Sequence, residues 1–154
     1  MLHATQTIAS QHNFGVFANT RNCGVNTDAQ RIRFAAADLF RQGRLAEADL
    51  LMHEAMQQYP DREDVLVMRA LICEVRQDWH AAAEALEKLL TLQGPSAPVE
   101  SWSHWVRVLR CDGQLHQAFG TVLQALQHHP GHPALTSELL ELQALGVDNQ
   151  AKAA

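Results

Sequence analysis

The sequence predicts an all-α protein that is built from three copies of one helical hairpin. Its apolar residues recur at the spacing of amphipathic helices, and Gly, Pro or Asp residues interrupt the helical stretches. Ala48 marks one step of a pattern that recurs at Ala82 and Ala118. The copies span residues 29–62, 63–96 and 99–132. A fixed period of about 34 residues indicates a repeat array, in which each unit stacks on its neighbours to bury its apolar face.

The first block has the two helices and the tight turn of a hairpin. Its first helix can be capped by Thr27 or Asp28 and carries its apolar residues on one face. Gly43 ends that helix, because glycine best accepts the left-handed conformation at a helix C-terminus. The second helix is expected over residues 45–59, where Pro60 stops it.

The other two blocks repeat this plan, with a turn at Gln77 and Asp78 in the second and at Asp112 and Gly113 in the third. Their predicted helices cover residues 65–76, 79–92, 99–111 and 115–129. A capping helix over residues 134–145 is expected to end the array. Its polar outer face is formed by Glu138, Glu141 and Gln143, because the end of a stack has to face water.

The segments that flank the array have a different composition. Residues 1–28 are polar and rich in turn-forming residues, so we expect a flexible or loosely docked leader. Three apolar residues in this leader, Phe14, Val16 and Phe17, could pack across the array or into a partner molecule. The repeat domain is expected over residues 29–146, and residues 147–154 are expected to form a disordered tail.

The order of residues in each block resembles the tetratricopeptide repeat. This family places small and apolar residues at fixed steps of the first helix, an alanine early in the second helix and a proline after it. The first block matches with Ile32, Ala35, Ala36, Leu39, Ala48, Met52, Ala55 and Pro60. The third block matches with Trp102, Trp105, Val106, Leu109, Ala118, Val122, Ala125 and Pro130. The resemblance implies a right-handed superhelix of three helical hairpins and a C-terminal capping helix.

The second block diverges more from the pattern of the family. It carries Arg69 at a step that is normally small or apolar, and Gly94–Pro95 stands in for the proline. Ala70, at the next step, still allows the close approach of helices that a short side chain permits.

The resemblance also implies a concave groove that the first helices of the hairpins line. The groove residues expected to contact a partner are Arg33, Ala37, Phe40, Arg41, Val67, Met68, Leu71, Val75, His104, Arg107 and Arg110. Phe34, Asp64 and Glu74 occupy further groove positions. An apolar centre with charged ends suits a peptide that supplies hydrophobic anchors. Alternatively, some apolar groove residues pack on the leader or the capping helix, and the arginines are solvated surface charges.

One established use of such grooves is disfavoured by the residues present. Repeat proteins that hold the C-terminal carboxylate of heat-shock chaperones need basic residues and asparagines at defined groove steps. Here those steps carry Arg33, Ala37, Met68, Glu100 and His104. Only Arg33 suits that role, and Glu100 would repel a carboxylate.

Composition and motifs argue against catalysis and against several classes of partner. A net charge of −5 disfavours nucleic acid, and three separated cysteines fit a reducing cytosol rather than disulfides or zinc. The His128–His132 cluster is expected to be a solvated turn, because no partner ligands accompany it. We find neither a phosphate-binding loop nor a nucleophile motif, and no apolar run long enough to span a membrane. The sequence predicts a cytoplasmic protein that is not an enzyme and has no cofactor or metal.

The leading hypothesis is a small chaperone or adaptor that holds a hydrophobic segment of a client protein in its groove. The whole plan resembles the translocator chaperones of type III secretion systems and, less closely, the chaperones of their needle subunits. That resemblance implies a secreted client and often a homodimer formed through the N-terminal region. The alternative is a structural scaffold that organises a multi-protein assembly such as a pilus, envelope or regulatory complex.

Overall fold

A computed structural model describes residues 27–147 of the chain and, for Thr27, the backbone alone. Within this range it contains seven α-helices, one short 3-10 turn at Gly94–Ser96 and no strand. The helices are α1 Thr27–Arg41, α2 Leu45–Gln58, α3 Glu63–Val75, α4 Trp79–Gln93, α5 Val99–Cys111, α6 Leu115–His128 and α7 Pro133–Ala144. The all-α prediction is confirmed, whereas the right-handed sense of the superhelix stays a prediction. The predicted leader lies almost wholly outside the described residues, as does nearly all of the tail.

The chain divides into two compact units at the turn between α3 and α4, so that one ends at Gln77 and the other begins at Asp78. In the first unit α1 packs on α2, α2 packs on α3, and α1 also touches α3. In the second unit α5 packs against α4, α6 and α7, and α6 also packs on α7. The division falls inside the second sequence block, and the domain bounds drawn from the sequence stay a prediction.

The core of each unit is formed by the residues that the repeat pattern aligns. Ala36, Ala70 and Val106 stand at the same step of the three first helices, and each is fully buried. The aligned residues of the second helices are also buried, namely Ala48, Met52 and Ala55 in α2, Ala82, Leu86 and Leu89 in α4, and Ala118, Val122 and Ala125 in α6. Short side chains at these steps allow neighbouring helices to approach closely. At these steps the burial agrees with the phase of the repeat, whereas in the first block Ala35 is exposed and Ile32 and Leu39 are half-buried.

The turn after the first helix of each block has one backbone conformation. Gly43, Gln77 and Gly113 occupy the same step, and their φ angles are 75°, 60° and 78°. After α1 the amide of Arg44 donates to the carbonyl of Leu39 at 2.9 Å, which closes the helix end in the manner of a glycine C-cap. The same step thus ends the first helix in every block.

The helix N-termini are capped in more than one way. Asp78 precedes α4, and its side chain accepts a hydrogen bond from the amide of Ala81 at 3.2 Å. The predicted capping of α1 by Thr27 or Asp28 needs correction, because both residues already lie within the helix. Asp28 instead lies in the first turn, where its negative charge is favourable near the positive end of the helix dipole.

Among residues 27–147, no helix has both the length and the apolar character that crossing a lipid bilayer requires.

Candidate functional site

Helix α1 carries the exposed part of the predicted groove in the first unit. Phe34 has 62% of its surface exposed, although it is a large apolar residue, and the guanidinium of Arg33 lies 5.6 Å from the centre of its ring. Arg41 is also exposed and pairs with Asp38 one turn earlier. Phe40, by contrast, is buried. Arg41 is therefore accessible on α1. Phe34, an apolar residue at a further groove position of the same helix, is also open to water. Ala37, the remaining predicted contact residue of this helix, is half-buried.

Helix α3 is buried around its whole circumference. Every residue from Asp64 to Glu74 is buried, including the predicted groove residues Val67, Met68 and Leu71, which are 5%, 9% and 7% exposed. The sequence predicted a groove along this face, and its use by a partner stays a prediction. Val75, at the end of the helix, is half-buried.

The buried carboxylate of Asp64 joins α3 to two arginines. Arg62 donates two hydrogen bonds to it, at 3.0 and 2.9 Å, and Arg33 of α1 lies 3.6 Å from Oδ2. Burial alone would raise the pKa of Asp64, but the hydrogen bonds from Arg62, its charge and that of Arg33, and the amide of Val65 together hold that pKa below its usual value. The carboxylate is therefore ionised at neutral pH, and Arg33 is already paired within the chain.

A second buried cluster explains the departure of α3 from the repeat pattern. Arg69 lies on the face of α3 that meets α2, where Nε is 3.5 Å from Oδ1 of Asp49 and Nη1 is 3.7 Å from the sulfur of Met56. Arg76 also binds Asp49, and the thiol of Cys73 lies 3.3 Å from it. The arginine is tolerated at this normally apolar step because a carboxylate of the preceding helix meets it.

In the second unit, α5 carries the remaining predicted groove residues. His104 is buried and Arg107 is exposed. Arg110 is half-buried, and its Nε lies 3.1 Å from Oε2 of Glu138 on α7. The prediction that Glu138 lies on the outer, water-facing side of the capping helix is therefore wrong. This carboxylate faces α5 because a partly buried arginine there needs a counter-charge.

The His128–His132 cluster is divided among three separate environments. His128 stacks on the ring of Trp102, with centroids 5.8 Å apart, and Nε2 of His129 lies 3.1 Å from the carbonyl oxygen of Ala97. His132 is the residue that precedes α7. Within the part of the chain that the structure describes, no three metal-ligating side chains come together. In the second unit His128 therefore has a stacking role and His129 a hydrogen-bonding role.

Two solved structures with a similar fold are domains in complex with peptides. The first tetratricopeptide repeat domain of Spaghetti (RPAP3), bound to an HSP90 peptide, matches with a TM-score of 0.63 and 19% identity, over 79% of this chain and 95% of that chain. The second such domain of human RPAP3, in complex with an HSP70 peptide, matches with a TM-score of 0.64 and 16% identity, over 78% and 98%. The fold is that of a tetratricopeptide repeat domain.

A third similar structure is that of a type III secretion chaperone. The Yersinia enterocolitica type III secretion chaperone SycD, in complex with a peptide of the translocator YopD, matches with a TM-score of 0.61 and 10% identity, over 77% of this chain and 94% of that chain. No protein-family model and no curated protein matches the sequence. At these identities the similarity establishes the fold and nothing finer.

Three polar residues of the described chain were missed or misplaced by sequence reasoning. Asp49 and Arg62 were not singled out, and Glu138 was assigned to solvent. A signal for Asp49 was present, because an arginine at an apolar step of α3 requires a buried carboxylate nearby. No comparable signal marked Arg62, whose role depends on how the turn before α3 directs its side chain.

Proposed function

We propose that this protein is a peptide-binding adaptor that acts as a small chaperone for a hydrophobic segment of a client protein. The observation that carries the proposal is the exposed ring of Phe34 on α1, a large apolar side chain at a predicted groove position. Structures with this fold include complexes with peptides of HSP90, HSP70 and YopD. Apolar side chains at these steps favour a ligand that offers hydrophobic anchors.

The internal pairing of Arg33 supports an apolar client over an acidic chain terminus. Asp64 lies 3.6 Å from this arginine, the one residue suited to hold a ligand carboxylate, and already interacts with it inside the chain. An incoming carboxylate would have to compete with Asp64, and like charges at such distances repel one another. Together with the exposed ring of Phe34, this favours a client of the kind that YopD represents for SycD, so a secreted translocator is the finer form of the proposal.

Phe34 provides the sharpest test of groove binding, because its exposure means that it contributes little to the core. We expect Phe34→Ala to weaken binding of a co-purifying client about tenfold or more, since a buried aromatic anchor contributes on the order of 1–2 kcal/mol. The clients to test are proteins encoded beside this chain, co-expressed with it and measured by titration calorimetry. Leu50→Ala is the matched control, because Leu50 is 60% exposed on α2, a second helix of the repeat.

The two substitutions also separate the chaperone from the alternative role as a scaffold. A scaffold that bridges stable proteins through its second helices would lose affinity with Leu50→Ala and keep it with Phe34→Ala. The exposure of Leu50 is the observation that favours this alternative. Equal affinity of both variants and the parent chain would overturn groove binding at α1. Binding of the HSP90 peptide with the affinity of a carboxylate-holding domain would overturn the preference for apolar clients.

A homodimer also stays a proposal. The N-terminal region that would form it lies outside the described residues, and sedimentation of the purified chain at several concentrations tests it.

A further inference from the structure

The capping helix α7 exposes an apolar residue at a step that the earlier first helices bury. Leu140 lies one repeat length after Val106 of α5, and Ala36 of α1 stands at the same step. Ala36 and Val106 are fully buried, whereas Leu140 has 60% of its surface exposed. The three helices therefore differ in what covers this step.

In the first and third blocks the cover is the second helix of the same block. Helix α1 packs on α2, and α5 packs on α6. Helix α7 opens a fourth block at Pro133, and within residues 27–147 no further helix follows it. Leu140 is exposed because the described chain places no second helix against it. A large apolar side chain that is open to water at a packing step marks a surface that another helix can cover.

The exposed face of α7 around Leu140 is uncharged. At about 100° per residue, the exposed residues within roughly 60° of Leu140 around the helix are small, polar or apolar. They are Pro133, Thr136, Ser137, Gln143 and Ala144. Leu135 and Leu142, on the opposite side of α7, are fully buried in the second unit. Covering the exposed face therefore removes no charge from water, which would be costly.

The contact between α7 and α6 extends this apolar surface. Leu139 of α7 occupies the step that Arg69 holds in α3. Phe119 of α6 occupies the step of Asp49, the ion-pair partner of Arg69. Leu139 and Phe119 are both half-buried, so water still reaches them. Apolar side chains thus replace, in the second unit, an ion pair of the first.

Charge at the edge of the face selects the flank of a partner. Glu141 is exposed and lies about 100° around the helix from Leu140. Helices α6 and α7 contain no Lys or Arg, and their other carboxylate, Glu138, is paired with Arg110. A partner helix with lysine or arginine beside its apolar stripe is therefore attracted to this edge, and an acidic one is repelled.

The size of Leu140 sets the side chain that faces it. In the complete hairpins Ala48 and Ala118 stand early in the second helix, and both are fully buried. Helices approach closely only where the side chains at their crossing are short. Because Leu140 is larger than Ala36 or Val106, the occupant has to offer alanine or glycine opposite it. The second helices of this chain have 14 or 15 residues, and we expect an occupant of that length.

We propose that the exposed face of α7 binds an amphipathic helix of a partner protein, with small residues in its apolar stripe and lysine or arginine on its flank. The bound helix takes the place of the second helix of the fourth block, in the manner of a helix that lays its apolar face into a groove. This site belongs to the second unit, whereas Phe34 belongs to the first. The proposal therefore adds a second binding surface and does not depend on groove binding at α1.

A synthetic peptide with the sequence of α4, residues 79–93, is the probe, because α4 is itself a second helix of the repeat. In the probe Glu84→Lys and Glu87→Lys supply the cationic flank, and both positions are exposed in the chain, so the apolar stripe is unchanged. The fluorescein-labelled peptide is titrated with the full-length protein and followed by fluorescence anisotropy. We expect saturable binding, and we expect the peptide with native Glu84 and Glu87 to bind about threefold more weakly or worse.

Leu140→Glu should weaken binding of the cationic probe about tenfold or more, because the docked helix would bury the new charge. Leu140→Ala adds no charge and should weaken binding about threefold, because it removes apolar surface alone. Leu50→Glu is the matched control, since Leu50 is also 60% exposed but lies on α2, and it should leave the affinity within about twofold. Equal affinities of Leu140→Glu and Leu50→Glu, no saturable binding below about 1 mM, or tighter binding of the native acidic peptide would overturn the proposal.

Two further measurements separate this site from other occupants and from the groove. A dimer of the full-length chain that sedimentation detects and Leu140→Glu dissolves would show that a second copy covers the face, and it would overturn the partner helix. Phe34→Ala should leave binding of the probe unchanged. A loss with Phe34→Ala as large as that with Leu140→Glu would place the probe in the groove of the first unit and would also overturn the proposal.

Discussion

At the turn that ends the first helix of each block, the backbone takes a left-handed conformation whichever side chain it carries. Gly43 and Gly113 accept it readily, whereas Gln77 takes it with a φ of 60°. An L-residue pays about 1–2 kcal/mol for this conformation, so Gln77 stores strain that its two counterparts do not. At the same scale, Asp64 stays charged while buried because Arg62 and Arg33 surround it.

Replacing Gln77 with glycine should stabilise the protein. We expect a gain of about 0.5–1 kcal/mol, because relief of the left-handed strain exceeds the extra flexibility that glycine gives the unfolded chain. The midpoint of urea denaturation measures it. Gly113→Gln is the matched reverse change, and a Cβ at Gly113 would meet no atom within 4 Å, so its loss of stability would report the backbone alone. A lower midpoint for Gln77→Gly would contradict the assignment of strain.

The contribution of Asp64 to stability should depend on pH. Its pKa in the folded chain lies below the ordinary value of about 3.9, so its stabilising effect is complete above that value and is lost as the pH falls through the folded pKa. We expect Asp64→Asn to be clearly less stable than the parent at pH 7, with the difference shrinking below about pH 4. Thermal unfolding of both proteins across this range checks it. A constant difference at every pH would show that Asp64 acts by shape alone.

At the scale of the helix, α3 shows how one element can be buried on every side and still carry charges. Arg69 replaces a small residue, and its guanidinium is held by Asp49 of the neighbouring helix. Arg76 and Cys73 reach the same carboxylate, so Asp49 has three partners while Arg69 has this one carboxylate and a methionine sulfur. Removal of Asp49 would therefore leave Arg69 without a carboxylate, whereas removal of Arg69 would leave Asp49 paired with Arg76.

That inequality predicts opposite outcomes for the two halves of the pair. Asp49→Ala should cost about 3 kcal/mol, because it leaves the buried charge of Arg69 uncompensated. Arg69→Met should change the free energy of unfolding by less than about 1 kcal/mol, since an apolar side chain suits this step and Asp49 keeps Arg76. Chemical denaturation of each variant gives both values. A loss for Arg69→Met as large as for Asp49→Ala would mean that the pair is essential as a unit.

The small residues of the second helices should resist enlargement. Ala118 on α6 is fully buried where α6 packs on α5, and we expect Ala118→Leu to destabilise the protein by about 1–3 kcal/mol through overpacking. Gln117→Leu, at the adjacent exposed position of α6, is the control for added bulk and should leave the denaturation midpoint nearly unchanged. Equal midpoints for the two variants would contradict the phase of the repeat.

For the whole molecule, the uneven distribution of charge along the chain is the feature with the widest consequence. All 17 acidic residues follow the first 26 positions, and they give a net charge of −5 to a chain whose leader carries no negative charge. Long-range repulsion therefore disfavours strongly acidic partners for the part of the chain that follows these positions.

The sequence by itself determined the helices, their turns and the buried steps of the repeat, because periodicity and turn chemistry act within a few residues along the chain. It placed α5 at its observed bounds and aligned Ala48, Ala82 and Ala118, each of which is fully buried. Only the tertiary structure decided which groove residues are open to water, that Arg33 is paired with Asp64, and that Glu138 turns toward Arg110. Those outcomes depend on contacts between side chains that are far apart in the sequence, and local sequence patterns do not predict such contacts.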